Sequence, residues 1–192
     1  TITTAEGGLV VTNNKSINEK TKLIRNHNII RGKKYWDYDI QKLSLNYRLS
    51  DINCALGISQ LKKINLFLKD RKESYLYYKK KIKNLSQFIS LPDYKNYKNA
   101  GFHLFLININ FKSLKSNKDK IFKYLNRNKI FPQFHYKPIY MFSFFKGSSK
   151  QFKGAKKYYE NTLSIPLFFG IKKTQKEYII KNLNNFLNKK KN

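Results

Sequence analysis

Cysteine is nearly absent from this 192-residue chain, which contains only Cys54, so no disulfide bond can form within it. Disulfides persist in oxidising compartments, and their absence is typical of the reducing cytoplasm. Cys54 lies among apolar residues at helical spacing, so we expect its thiol to pack in a core. Long apolar runs are also absent, and the first residues, TITTAEGG, lack the features of a signal peptide. These absences predict a cytoplasmic protein with no membrane segment.

Acidic residues are scarce: 11 Asp and Glu stand against 40 Lys and Arg, which gives a formal net charge of +29. Such a charge attracts polyanions, and one hypothesis is a basic nucleic-acid-binding module. The lysines are nevertheless spread along the whole chain, and Lys, Asn, Ile, Tyr and Phe are abundant together, as expected from an A+T-rich genome. We therefore attribute the charge to composition and keep nucleic-acid binding as the non-enzymatic alternative.

The clearest helix signal begins after Ser50. Serine is a favourable N-cap, and Asp51 follows where the helix dipole favours a negative charge. Apolar residues then share one stripe: Cys54, Ile58, Leu61, Ile64 and Leu68. Gly57 interrupts the helical pattern, which predicts that another part of the chain approaches the backbone closely there. The pattern continues toward Leu85, and we expect a break and a domain boundary near Asp70.

Three polar side chains, Asn46, Tyr47 and Arg48, lie immediately before this helix. One interpretation is a solvated loop ahead of a core helix. The other is an anion site, because an amide and a guanidinium are donors that suit a phosphate. Asp51 disfavours an anion on the helix axis, so Asn46 and Arg48 would hold it from the side.

The remaining pattern alternates helices with short strands. Helices are predicted at residues 16–28, 118–128, 152–159 and 174–187. Strands or extended segments are predicted at residues 9–12, 102–110, 130–135 and 163–167. We expect Ser16 to cap the first helix, with Glu19 as its capping-box partner, and residues 29–45 to form a polar-aromatic loop. The alternation predicts a small α/β sandwich with helices on one face.

A second polar cluster contains His135, Tyr136, Lys137, Pro138 and Tyr140. An imidazole, two phenols and an ammonium group beside a proline turn could line a site for a phosphorylated sugar. An edge strand with solvated side chains would give the same pattern, because Pro132 limits strand pairing here. The residues alone leave both interpretations open, and the chain has no spacing typical of metal ligands.

Four strings together resemble the DegT/DnrJ/EryC1/StrS family, the sugar-nucleotide aminotransferases that use pyridoxal 5'-phosphate. They are TITTAEGGLVVTNN, NYRLSDINCALGISQLKK, FPQFHYKPIY and LSIPLFFGIKKTQKEYII. The resemblance implies the C-terminal part of an α/β aminotransferase of fold type I. Residues 1–69 would complete the large cofactor-binding domain. Residues 70–192 would form a small α/β domain of short antiparallel strands and helices.

The resemblance also implies how the cofactor is held. Asn46 and Arg48 match family residues that reach the cofactor phosphate of the neighbouring subunit, which implies a homodimer. The lysine that carries the cofactor would fall immediately before Thr1. We therefore expect a fragment that contains no catalytic residue of its own and is inactive alone.

The substrate site is implied at the second cluster and at Trp36. His135 matches a family histidine in a segment that lines the sugar-nucleotide site, and Tyr140 stands where many relatives have a second histidine. Trp36 lies in a loop similar to that of enzymes that aminate UDP-linked 4-keto-6-deoxy-N-acetylhexosamines, with glutamate as donor. The alternative enzyme is a family member, or a dehydratase relative, that acts on another keto-sugar nucleotide.

Overall fold

The computed structural model describes residues 1–83, 85–92, 100–145 and 151–188. The chain forms two compact units: the N-terminal unit, Ile2–Ile64, and the C-terminal unit, Asn65–Asn192 together with Thr1. The assignment of residues 1–69 and 70–192 to two functional domains stays a prediction. Among the described residues, no helix combines the length and apolar character that a bilayer-spanning segment needs.

The N-terminal unit consists of two helices and a hairpin in the described part of the chain. Its elements, in order, are α1 (Lys15–Arg25), β1 (Ile29–Arg31), β2 (Tyr38–Ile40) and α2 (Asp51–Lys62). The strands β1 and β2 pair antiparallel, with Ile30 opposite Asp39. The prediction that residues 29–45 form a polar-aromatic loop is therefore wrong where the chain forms β1 and β2.

The start of α1 differs from the prediction. Asn14, rather than Ser16, is the N-cap, and its side chain accepts a hydrogen bond of 3.1 Å from the Ile17 N–H. Residues 9–12 form no strand, because no described segment pairs with their backbone groups. Val11 is 84% exposed.

The predicted start of α2 is confirmed. The Ser50 hydroxyl accepts from the Asn53 N–H, and Asp51 is the first helical residue. Gly57 also behaves as predicted, since a Cβ there would lie 3.0 Å from the Thr4 methyl carbon. Cys54, by contrast, is exposed, so its expected place in a core is wrong for the described structure.

The C-terminal unit surrounds a three-stranded antiparallel sheet. Its elements are α3 (Ile64–Ile82, in this unit from Asn65), β3 (Ile89–Ser90), β4 (Phe105–Ile109), α4 (Phe111–Leu114), α5 (Lys118–Arg127), a 3₁₀ turn (Ile139–Met141), α6 (Lys153–Asn161), β5 (Thr162–Ile165) and α7 (Lys173–Leu187). The strand order is β3-β4-β5. The break before α3 is at Lys63 rather than near Asp70, through which α3 runs without interruption.

The core of this unit forms because β4 alternates. Phe105, Ile107 and Ile109 are buried on one face of the strand, as period-two patterning requires. Every residue of β5 is buried, and Ile107 lies opposite Leu163. Helices α3, α5 and α7 cover the sheet with buried side chains that include Tyr78, Leu125 and Leu183.

The predicted strand at residues 130–135 is wrong. Only a single bridge pairs Gln133 with Ser164. Pro132 has no N–H to donate to a ladder, which keeps this segment from extending its pairing. The predicted helices at 118–128, 152–159 and 174–187 are each present within a few residues.

Candidate functional site

The loop that holds Asn46 is fixed by main-chain hydrogen bonds to the end of α1. Asn46 forms a bridge with Asn26, and the Tyr47 N–H donates to the Arg25 carbonyl at 2.9 Å. The His27 N–H donates to the Leu45 carbonyl at 3.3 Å. The loop before α2 is thus attached to α1 rather than being a free connection.

Asn46 and Arg48 are brought together within this loop. The Arg48 main-chain N–H and its side-chain Nε both donate to Asn46 Oδ1, at 3.2 and 3.3 Å. Such an Asx-type turn orients the amide locally. Both side chains are exposed. Among the described residues, the Asn46 amide nitrogen and the terminal guanidinium nitrogens of Arg48 have no hydrogen-bond partner.

These donors fit a phosphate group. An arginine guanidinium and an amide N–H form charge-assisted hydrogen bonds with phosphate oxygens. The first turn of α2 carries Asp51, so the axis of the helix itself is a poor position for an anion. The donor set therefore favours an anion beside the helix, as the sequence predicts.

The segment before α1 lies against α2 in the same unit. Asn53 Nδ2 donates to the Glu6 carbonyl at 3.4 Å, and Thr4 contacts the helix at Gly57. At Gly7, with φ of +157°, a Cβ would lie 2.7 Å from the Thr4 hydroxyl oxygen. The TTAEGG string and the start of α2 thus form one local assembly.

Trp36 lies in the turn of the β1–β2 hairpin and is 74% exposed. The Gly32 N–H donates to the Asp37 carbonyl at 2.9 Å and closes the turn. A Cβ at Gly32 would lie 1.9 Å from an Asp37 carboxylate oxygen, so a larger residue there would require the Asp37 side chain to move. This turn presents the indole to solvent.

The second cluster begins beside β5. The Ser164 hydroxyl oxygen lies 3.3 Å from His135 Nδ1, which positions the half-buried imidazole. The rings of His135 and Tyr136 meet edge to face, with centroids 4.8 Å apart. Tyr136 is otherwise exposed, so its hydroxyl is accessible to a ligand.

The rest of the second cluster packs on neighbouring aromatic rings. The Lys137 ammonium group lies 5.4 Å from the centroid of Phe142. Tyr140 stacks on Phe152, with centroids 5.2 Å apart and an interplanar angle of 13°. The Tyr140 hydroxyl is buried and has no hydrogen-bond partner among the described residues. Pro138 precedes the 3₁₀ turn that carries Tyr140.

Two ionisable groups near this cluster have shifted pKa values. Partial burial is the main cause that lowers the pKa of His103, and nearby positive groups, including Arg71 and His135, lower it further. The neutral imidazole of His103 is therefore favoured near neutral pH. Burial also lowers the pKa of Lys118, whose ammonium lies 4.5 Å from the Tyr159 ring centroid.

Sequence reasoning missed Ser164 and Arg71. Ser164 is a buried polar residue between two buried apolar neighbours, and that pattern could have drawn attention to it. Arg71 Nη1 donates to the carbonyls of Phe102, His103 and Leu167, at 3.2 to 3.3 Å. No local signal predicts those three contacts, because the acceptors lie 31 or more residues away.

Comparison with known proteins identifies relatives along most of the chain. A Campylobacter jejuni protein (serotype O:23/36, strain 81-176) named UDP-4-amino-4,6-dideoxy-N-acetyl-beta-L-altrosamine transaminase is 42% identical over 167 residues. That alignment covers 86% of this chain and 44% of the relative. The chain thus spans less than half the length of this relative.

Solved structures agree with the sequence comparison. Helicobacter pylori PseC, described as an aminotransferase involved in the biosynthesis of pseudoaminic acid, matches with a TM-score of 0.84 and 30% identity. The match covers 96% of this chain and 49% of PseC. The PLP form of Spr1654 from Streptococcus pneumoniae, a sugar aminotransferase by its description, matches with a TM-score of 0.82 at 21% identity over 95% of this chain and 46% of that one.

These structures confirm the predicted fold class, an α/β aminotransferase fold of which this chain covers part. The model of the DegT/DnrJ/EryC1/StrS aminotransferase family matches residues 1–184. The resemblance inferred from the four strings is therefore confirmed, and this chain belongs to the DegT/DnrJ/EryC1/StrS aminotransferase family.

Proposed function

We propose that this chain is the C-terminal part of a pyridoxal phosphate-dependent aminotransferase that acts on a nucleotide sugar. The amino group would move from glutamate to a UDP-linked 4-keto-6-deoxy-N-acetylhexosamine. The observation that carries this proposal is the 42% identity to the C. jejuni altrosamine transaminase over 86% of the chain. A cytoplasmic location is part of the same proposal, supported by the single cysteine.

Asn46 and Arg48 would bind the phosphate of the cofactor in the neighbouring subunit of a homodimer. Two features support this: their donors are exposed, and the loop that holds them is fixed to α1. The exposed apolar side chains of α2, including Ile52, Ile58 and Leu61, also support a subunit interface on this unit.

When bound, pyridoxal phosphate supplies the electron sink that makes transfer of an amino group feasible. The chain's own residues would bind the cofactor and the substrate and orient them. Asn46 and Arg48 would fix one end of the cofactor by its phosphate. His135, held by Ser164, would donate to or accept from a sugar hydroxyl or phosphate oxygen.

The other proposed substrate residues would also contribute to binding of the nucleotide sugar. Lys137 supplies positive charge for a diphosphate, and the Tyr136 hydroxyl is accessible. Tyr140 contributes a buried hydroxyl without a described partner, and Pro138 sets the turn that carries it. Trp36 offers an exposed ring for stacking.

The proposal is tested in a chimaera in which residues 1–192 replace the aligned part of the C. jejuni transaminase. Glutamate and the UDP-linked ketosugar are supplied, and the aminated sugar is measured by mass spectrometry. We expect product with the UDP sugar and little with the matched GDP or dTDP ketosugars. A folded, cofactor-loaded chimaera that prefers the GDP or dTDP substrate would contradict the assigned substrate class. No product from any of the three would contradict the aminotransferase function.

A further inference from the structure

A cavity of about 540 Å³ opens in the C-terminal unit between the end of α5, the segment after β5 and α7. This volume lies within the range of about 300–1,000 Å³ that small-molecule sites occupy. Its lining residues are Lys129, Ile130, Phe131, Pro166, Phe168, Ile171, Thr174, Gln175, Tyr178 and Ile179. Most of this wall is apolar, and none of these residues belongs to the cofactor or substrate residues proposed above.

One wall of the cavity is held in place by three side chains of α3. The Tyr78 hydroxyl donates to the Pro166 carbonyl at 3.1 Å, and Arg71 Nη1 donates to the Leu167 carbonyl at 3.2 Å. The Gly170 N–H donates to Asp70 Oδ2 at 3.0 Å. The segment that carries Phe168 and Ile171 is therefore fixed before any ligand arrives, which lowers the entropic cost of binding.

Lys129 is the one charged residue among those that line the cavity. It follows the C-cap of α5 and has φ of +56°, in the left-handed region. Glycine is the usual residue at this position of a helix end, because a side chain there strains the backbone. The sequence nevertheless has lysine here, at the rim of an apolar cavity.

We propose that this cavity binds a small organic anion with an apolar body and one carboxylate. The body packs between Ile130, Phe168 and Ile179, and the carboxylate pairs with the Lys129 ammonium group. The polar side chains of Thr174 and Gln175 border the same cavity. Charge complementarity selects this class over a cation of equal size.

Three probes that differ only in the head group test the proposal on the full chain labelled with ¹⁵N. They are 4-phenylbutyrate, 4-phenylbutan-1-ol and 4-phenylbutylamine, titrated while amide chemical shifts are recorded. We expect saturable shifts confined to residues 129–131, 166–171 and 174–179, with affinity in the order carboxylate, alcohol, amine. Equal affinity for the three probes, or shifts spread over both units, would overturn the proposal.

Two variants separate the charge from the cavity. Lys129→Ala should weaken binding of 4-phenylbutyrate about fivefold, as expected for the loss of one exposed charge pair. The affinity for 4-phenylbutan-1-ol should not change. Thr174→Trp should weaken binding of the carboxylate probe and of the alcohol probe equally, because the indole fills the cavity. Lys115→Ala is the matched control. Lys115 also lies at a helix end with a left-handed backbone conformation, but it does not line the cavity.

The variants also exclude other occupants. If Lys129→Ala and Lys115→Ala weaken binding of 4-phenylbutyrate equally, the anion is attracted by the net positive charge of the chain rather than by the cavity. The proposal is then wrong. If the cavity amides shift with protein concentration before any probe is added, a second copy of the chain covers this face, which also overturns it. Neither result depends on whether the chimaera has aminotransferase activity.

Discussion

The two units differ in what they do with their apolar residues. Every buried apolar side chain among the described residues lies between Tyr75 and Leu187, in the C-terminal unit. In the described residues 2–64, Asn28 is the only buried residue. Burial of apolar surface is the main driving force of folding. The C-terminal unit thus has its own source of stability, whereas the N-terminal unit has little.

Local hydrogen bonds hold the N-terminal unit in place of a core. Asn14 caps α1, Ser50 caps α2, and the β1–β2 hairpin closes through Gly32. Caps contribute about 1 kcal/mol each, which is small beside a packed core. The exposed apolar face of α2 therefore suits burial against another surface, as the proposed homodimer requires.

The largest expected difference between the units concerns matched leucines. Leu125 is 0% exposed and Leu61 is 49% exposed. Leu125→Ala should lower the free energy of unfolding by about 2–5 kcal/mol, because it leaves a cavity in the core. Leu61→Ala should change it by less than about 1 kcal/mol. Urea unfolding measures both, and equal losses would show that the N-terminal unit has a core after all.

Self-association is the next test of the comparison. Ile58→Lys on α2 should weaken dimerisation of the full chain about tenfold or more, because a charge is placed in the proposed interface. Leu76→Lys is the control, since Leu76 is an exposed apolar residue on a helix of the C-terminal unit. Sedimentation equilibrium compares the two, and similar dimer dissociation constants would argue against an interface on α2.

Matched asparagine caps give a smaller contrast. Asn14 and Asn117 cap α1 and α5 through Oδ1, at 3.1 and 2.9 Å from their donors. Asn117→Ala should lower the free energy of unfolding of the C-terminal unit by about 1 kcal/mol. Asn14→Ala should reduce the protection of α1 amides from hydrogen exchange without shifting the urea unfolding transition of the C-terminal unit. Hydrogen exchange with a parallel urea series checks this, and a shifted transition in Asn14→Ala would refute it.

A further contrast depends on pH. Burial raises the pKa of Tyr78 above its ordinary value, and Tyr77 adds to the shift. The native state therefore keeps a proton that the unfolded state loses above about pH 10. The stabilising effect is complete below that pH and declines as pH rises further. Urea unfolding at pH 8 and pH 11 should show a larger loss for the wild type than for Tyr78→Phe, and equal losses would contradict the assignment.

Local chemistry explains what could be predicted. The Ser50 cap and Asp51 start depend on the residues themselves, and the close approach at Gly57 follows from the absence of a side chain. The Asn14 cap shows the limit: Ser16 was expected to cap α1, but the backbone of Asn14, two residues earlier, is extended and its side chain accepts from the Ile17 N–H.

Nonlocal pairing explains what could not be predicted. Residues 9–12 have strand propensity but no described partner, whereas β1 and β2, with three residues each, have too little periodicity to be recognised. The contact between His135 and Ser164 joins residues 29 positions apart. Cys54 was misplaced because an apolar stripe predicts burial without indicating which surface covers it.

We propose that the N-terminal unit binds a cofactor phosphate through Asn46 and Arg48. Asn46→Asp keeps Oδ1 as an acceptor for Arg48 but replaces the amide donor with a negative charge. Arg25→Lys is the control, a conservative change at another arginine of the same unit that keeps its charge. We predict that Asn46→Asp weakens pyridoxal phosphate binding to the chimaera about tenfold or more, measured by absorbance titration, while Arg25→Lys leaves it unchanged. Equal affinity in the chimaera with and without Asn46→Asp would contradict the claim.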